Sequence, residues 1–190
     1  MNLWESIYTY FMQNNVQGAI TFLEEYLSNQ DPERFSCLLE EQFVNSPISI
    51  LTGINRFIRA NEDKFAVKAI YLEMNEFDIN YDRWYFDLFA YSTYSPKLED
   101  TEWICNWQSD RWANIELNGM NKSREAFAWY HQQRIWETQP ELASIYDASM
   151  LLIMEKFAGF IGNCMQDGLL YKPVPVLVSA HGFETIAKYD

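Results

Sequence analysis

Histidine, glycine and basic residues are all scarce in this chain. Its 190 residues include two His, seven Gly and fourteen Lys and Arg. Each shortage excludes something. With so little glycine there is no GxxxxGK[ST] loop, no GxGxxG turn and no GxSxG elbow to cradle a phosphate or expose a nucleophile. The two histidines, His131 and His181, have no HExxH neighbourhood and no carboxylate at ligand spacing, so neither a metal site nor any cofactor is expected. Cysteine numbers three, and Cys37, Cys105 and Cys164 are odd in count and widely spaced. That spacing builds no disulfide framework and no CxxC metal site, and a reducing cytoplasm is the expected setting. The opening stretch MNLWESIYTYFMQNNVQ has neither a basic region nor a small-residue cleavage site, so no signal peptide is expected. Apolar runs stay well short of the roughly 20 residues of a membrane span. The longest candidate, MLLIMEKFAGFIG, is interrupted by Glu155 and Lys156.

The shortage of basic residues leaves 27 acids against 14 bases, a net charge of -13. A field of that sign repels phosphate backbones and disfavours nucleic acid. It suits a basic partner, or simply solubility.

What the chain does have is apolar and aromatic material, 48% and 17% of its residues. That is ample for one folded domain over residues 1–190, with a helical part at 1–62 and a sheet with packed helices at 63–190. Helical stripes run through the first part: Leu3, Ile7, Tyr10 and Phe11, then Val16, Ile20, Leu23 and Leu27. Asp31 before Pro32 and Ser46 before Pro47 have the order of helix starts. Their following stripes are Phe35, Leu38 and Leu39, and Leu51, Ile54, Phe57 and Ile58.

The period changes in the middle. FAVKAIYLEM (65–74) and WYFDLFAYSTY (84–94) are β-branched and aromatic, with polar NEFDINYDR between them. An antiparallel pair is expected, with further strands at 102–108 and 112–119. On the second strand Trp84, Phe86, Leu88 and Ala90 share the face that reads as core, and Tyr85, Asp87, Phe89 and Tyr91 share the other. Helical patterns return at 121–137 and from Thr138 to Gly168, where Thr138 and Glu141 have capping-box spacing. VPVLVSAHGF (174–183) is expected as a last strand, packed centrally or at an edge, with Pro175 favouring the edge. The fold class is α+β, with a helical N-terminal region, a central antiparallel or mixed sheet, two C-terminal helices and a final strand.

No reaction is spelled out. Cys105 between Trp103 and Trp107 and Cys164 on an apolar stripe read as core thiols, with nothing basic beside them to make a nucleophile. Carboxylates crowd one region: ten acids against three bases lie between residues 73 and 116. Tyrosines and tryptophans beside acids suit recognition of a basic surface, the rings supplying contact area and the acids steering. The candidate partner-binding residues are Asp78, Asp82, Trp84, Tyr85, Asp87, Glu99, Asp100, Glu102, Trp107 and Trp112. Asp87 also fits a hydrogen-bonded place under a helix or a solvated sheet face.

The run WYFDLFAYSTYSPKLEDTEWICNWQSDRWANIELNG, with the following AFAWY, resembles the immunity proteins of polymorphic-toxin and contact-dependent-inhibition systems of bacteria. The resemblance spans roughly residues 65–130. It lies in overall character, that of an acidic, Trp-rich α+β chain without a catalytic signature, rather than in a shared motif. It implies a non-enzymatic cytoplasmic protein that binds a protein partner, a basic toxin domain, and occludes its active site, with no nucleic acid and no membrane involved. Two other functions fit the same residues. One is a hydrolase using an Asp/Glu pair in an aromatic-lined cleft. The other is a small-ligand or regulatory module with His181 near its pocket.

Overall fold

A computed structural model describes residues 3–30, 32–96, 102–109, 113–168, 170–183 and 185–190. The expected α+β class holds. Helices α1 (Leu3–Met12), α2 (Val16–Ser28) and α3 (Pro47–Glu62) come first. Strands β1 (Ala69–Met74), β2 (Tyr85–Tyr91) and β3 (Ala113–Glu116) follow. Helices α4 (Asn121–Gln132), α5 (Ile135–Thr138) and α6 (Ala143–Asp167) precede strands β4 (Val176–Ala180) and β5 (Ala187–Tyr189).

Among the described residues the strands form one mixed sheet in the order β3-β2-β1-β4-β5. The β1–β2, β2–β3 and β4–β5 pairs are antiparallel, and β1–β4 is parallel. One face carries the core. Ile70, Leu72 and Met74 of β1 stand beside Ala90, Leu88 and Phe86 of β2 and beside Val176, Val178 and Ala180 of β4. All nine are buried. Helix α6 lies at the centre, and every residue from Leu151 to Ala158 is buried. A helix buried all round belongs inside a structure. Gly162 belongs to its contact with β5. The Tyr189 ring lies so close that a Cβ there would meet it at 2.8 Å, and the Tyr189 hydroxyl donates to the Ala158 carbonyl at 2.7 Å.

Several local expectations are corrected. β4 is interior, with β1 on one side and β5 on the other. Pro175 precedes the strand, so its missing N–H costs no ladder bond there, while its carbonyl accepts from Ile70 N–H at 3.0 Å. The edge on that side is β5, whose short three-residue pattern is too weak to read from sequence. Residues 102–108 form no strand: Glu102–Cys105 is a 3-10 turn followed by irregular chain. The 121–137 helix breaks at Arg134, which takes a left-handed φ of 51°. The Thr138 hydroxyl donates back to the Ile135 carbonyl rather than opening a helix, and α6 starts only at Ala143. Ser46 makes no side-chain cap, although Pro47 does begin α3. Asp31 lies outside the described residues.

Helix α4 is started from a distance. Met120, the residue before it, has a left-handed φ of 57° and offers no capping side chain. The Glu41 carboxylate instead accepts from the N–H groups of Lys122 and Ser123, at 3.0 and 2.8 Å, and from the Ser123 hydroxyl at 2.7 Å. An anion on the first free amides of a helix satisfies donors and complements the helix dipole.

Candidate functional site

The second face of the sheet has a covered end and an open end. At the covered end Ala69, Tyr71, Phe89, Tyr91 and Leu177 make a small second core beneath Tyr94, Trp103 and Ile104. The Tyr91 hydroxyl donates to the Ile104 carbonyl at 2.9 Å, and Trp103 meets the Tyr91 ring edge-on at 4.8 Å. The chain after Trp103 then returns along β2, where Gln108 N–H donates to the Ala90 carbonyl. This return places Trp107 against Phe89, ring centroids 5.3 Å apart.

Trp107 marks the boundary with the open end, a concavity of about 450 Å³. Its lining includes Glu73, Asp87, Tyr85, Phe89, Trp107 and His181. The register explains the grouping. Glu73 and Asp87 are partners across the β1–β2 ladder, and Ser179 of β4 stands on the other side of Glu73. The parallel strands β1 and β4 end here together, tied by His181 N–H donating to the Met74 carbonyl at 2.8 Å. Buried Asn75 fixes the next turn, accepting from Tyr85 N–H at 3.0 Å and donating to the Arg83 carbonyl at 3.3 Å.

His181 reaches the carboxylates from a tight turn. Phe183 N–H donates to the Ala180 carbonyl, and Gly182 takes a φ of +80° that an L side chain rarely adopts. The imidazole Nδ1–H donates to Glu73 Oε1 at 2.9 Å, and Nε2 lies 3.4 Å from Glu76 Oε1. The hydrogen bond to Glu73 holds the ring protonated to higher pH than an ordinary histidine, against a smaller opposing effect of burial. Asp87 sits half-buried in the concavity. Burial, and then the negative charge of Glu73, push its carboxyl above the usual range, while Arg83 pulls the other way. Arg83 itself is engaged elsewhere: it bonds Glu116 and Asn114 and lies over the Tyr85 ring at 5.2 Å. Among the described residues the Asp87 carboxylate has no hydrogen bond and no salt bridge.

The residues singled out in sequence therefore separate. Tyr85, Asp87 and Trp107 line the concavity. Trp84 does not reach it. The indole is 1% exposed, donates to the Phe77 carbonyl at 2.8 Å and packs among Phe43, Phe77 and Phe127. Trp84 is thus a core residue rather than a partner contact, as the alternation along β2 requires. Asp78 is half-buried and accepts from the Tyr146 hydroxyl at 2.8 Å, in a chain that continues to His131 Nε2 at 2.9 Å. Burial holds His131 below the ordinary histidine range. Asp82 and Glu102 are exposed and lie outside the concavity. Glu99, Asp100 and Trp112 lie outside the described residues.

Glu73, Glu76 and Phe89 complete the site and were not chosen from sequence, while His181, expected near a pocket only in the small-ligand reading, lines it too. His181 before Gly182 at a strand end was the available signal, but its partner Glu73 lies 108 residues away. Cys164 is buried as expected, but Cys105, expected in the core, is exposed because 102–105 forms a 3-10 turn rather than a strand, and burial pushes the half-buried Cys37 thiol up. Among the described residues no three His, Cys, Asp or Glu side chains are placed to hold a metal ion together, and no described helix is long and apolar enough to cross a membrane.

No known family matches the chain, and neither a curated protein nor a solved structure is significantly similar to it.

Proposed function

We propose that this chain is a non-catalytic, partner-binding protein of the immunity type, which seats the open end of its sheet on a basic protein and occludes that protein's active site. One observation carries this reading. Three carboxylates, Glu73, Glu76 and Asp87, line a concavity walled by Tyr85, Phe89 and half-exposed Trp107. Carboxylates for steering and rings for buried area are what a basic interface requires. The net charge of -13 extends the steering field beyond the site.

The test is association with a basic toxin domain encoded beside the gene, measured by stopped flow across a salt series. The paired change Glu73→Gln with Asp87→Asn is expected to weaken binding and shorten complex lifetime. Neutralising exposed Asp82 is expected to slow association at low salt only. Binding that ignores both changes at every salt concentration would refute the reading.

One observation favours a second reading, a hydrolase. Asp87 is held above the usual carboxylate range beside Glu73, in a cleft with an aromatic wall. Two carboxylates in unlike environments are the working parts of a glycosidase. Against it, Glu73 is already engaged by His181. Turnover of a glycoside that Asp87→Asn abolishes would replace the binding reading with this one.

A further inference from the structure

We infer that the concavity is a socket for one arginine side chain of the partner, and that His181 is the internal cation which the incoming guanidinium displaces from Glu73. The inference rests on the partner-binding reading above and names the group that the site receives.

Three observations lead to it. First, the site already holds a planar nitrogen donor of its own. The His181 ring donates to Glu73 at 2.9 Å and points its second nitrogen at Glu76, 3.4 Å away. Yet the His181 side chain is 56% exposed and sits on a turn whose next residue is Gly182, with nothing within 4 Å of the place a Cβ would occupy. More than half of the side chain therefore already faces solvent rather than packed neighbours. Second, Asp87, directly across from Glu73, has no cation of its own among the described residues. A guanidinium between the two strands would meet both carboxylates at once, which an imidazole on the Glu73 side does not. Third, the chain uses the same chemistry on the other flank of Tyr85. Arg83 lies over that ring and donates to Glu116 and Asn114. Tyr85 and half-exposed Trp107 offer an incoming group comparable rings, beside the buried Phe89.

The preference for arginine over lysine follows from geometry. A guanidinium is flat, stacks on aromatic faces and donates in a fork that fits two acceptors. An ammonium is a point charge that keeps its water and gains less from the rings. Charge supplies the regulation. The groups around His181 are Glu73 on β1, Glu76 in the loop after it and Asp87 on β2, with Arg83 beyond Tyr85. A protonated His181 competes for Glu73, and its deprotonation frees that carboxylate. Asp87 gains its own charge over a more acidic range. Both effects make the socket a better cation site as pH rises.

The test uses the full chain and two small probes, acetyl-arginine amide and acetyl-lysine amide, followed by NMR at the assigned Trp107 indole N–H. The arginine probe is expected to bind weakly but at least about fivefold more tightly than the lysine probe. Glu73→Gln with Asp87→Asn should remove both the binding and the indole shift. Affinity should rise at least about threefold from pH 6 to pH 8, and His181→Ala should raise the acidic value and flatten the profile. Equal binding of the two probes, or an arginine shift that survives loss of both carboxylates, would overturn the socket. A flat wild-type pH profile would overturn the displacement of His181. If a protein partner binds and senses Glu73 and Asp87 while the arginine probe does not bind, the partner-binding reading stands and the socket falls. If a partner binds without sensing either residue, both fall.

Discussion

Glu73 and Asp87 stand directly opposite one another on adjacent antiparallel strands, and among the described residues His181 pairs with Glu73 and not with Asp87. Like charges directly across a ladder oppose folding. The imidazole relieves one of them, and Asp87 bears the remainder, which adds to the effect of burial in holding its carboxyl up. The pair is an arrangement that costs stability where the sheet meets solvent. Such local costs concentrate at functional sites.

Asp87→Asn should therefore stabilise the protein while weakening partner binding. The folded carboxyl titrates above its unfolded value, so Asp87 lowers stability once pH rises past the unfolded range near 3.8. Because the group is half-exposed, solvent screening limits the gain to no more than about 0.5 kcal/mol, roughly 1–2 °C in Tm. Calorimetry of the variant at neutral pH checks it, and a fall in Tm would contradict it.

Trp84→Ala should behave in the opposite way. It removes a fully buried indole and leaves the Phe77 carbonyl without its donor. The expected loss is about 3–5 kcal/mol, seen as a lower urea midpoint. Trp84→Phe should lose less. A Trp84 variant that folds with unchanged stability but fails to bind a partner would move this residue back to the surface.

Glu155 predicts an unusual pH dependence. Its side chain is fully buried on α6, and among the described residues neither carboxyl oxygen has a hydrogen-bond partner. Neighbouring Lys156 turns away, its Nζ donating to the carbonyls of Leu38 and Glu41 beside Glu24. Burial raises the Glu155 carboxyl from 4.5 to about 8. The folded chain thus keeps a proton that the unfolded chain has lost. Stability from this group falls as pH rises from about 4.5 to about 8 and then levels off. By pH 7 the loss is on the order of 3 kcal/mol. Denaturation across that range should show the decline, and Glu155→Gln should flatten it. An unchanged slope in the variant would show that the titrating group lies elsewhere.

Tyr146→Phe tests the chain from His131 through Tyr146 to Asp78. The hydroxyl donates to Asp78 and meets His131 Nε2, so its removal strands two half-buried polar groups. The expected cost is about 1–3 kcal/mol. His131 titrates below its ordinary value when folded, so its contribution is present at neutral pH and is lost as the unfolded chain takes up a proton below about pH 6.5. The variant should change the acid side of the stability profile and leave partner binding intact. A loss of binding with little loss of stability would reassign Asp78 to the interface.

Local periodicity determined much of this protein from sequence alone. The α+β class, the apolar stripes of α2 and α3, the pairing of β1 with β2, and the two faces of β2 all follow from side-chain alternation and helical spacing. These are short-range consequences of covalent geometry, and tertiary context did not override them. Where a single helical pattern ran past a left-handed residue, as at Arg134, or where alternating tryptophans imitated a strand, as at Trp103 and Trp107, the local pattern misled. A strand needs a ladder partner, and 102–109 packs over β2 largely through side chains instead.

The site belongs to the tertiary structure. Ten acids between residues 73 and 116 looked alike in sequence. Register set Glu73 opposite Asp87, and burial in the concavity raised the Asp87 carboxyl. The parallel docking of β4 on β1 brought His181 to Glu73 across 108 residues of chain. Strand order is decided by how the whole apolar surface packs, with β4 placed inside the sheet by helix α6 and closed by β5. No local pattern carries that information, so the pairing of His181 with Glu73 becomes visible only in the folded chain.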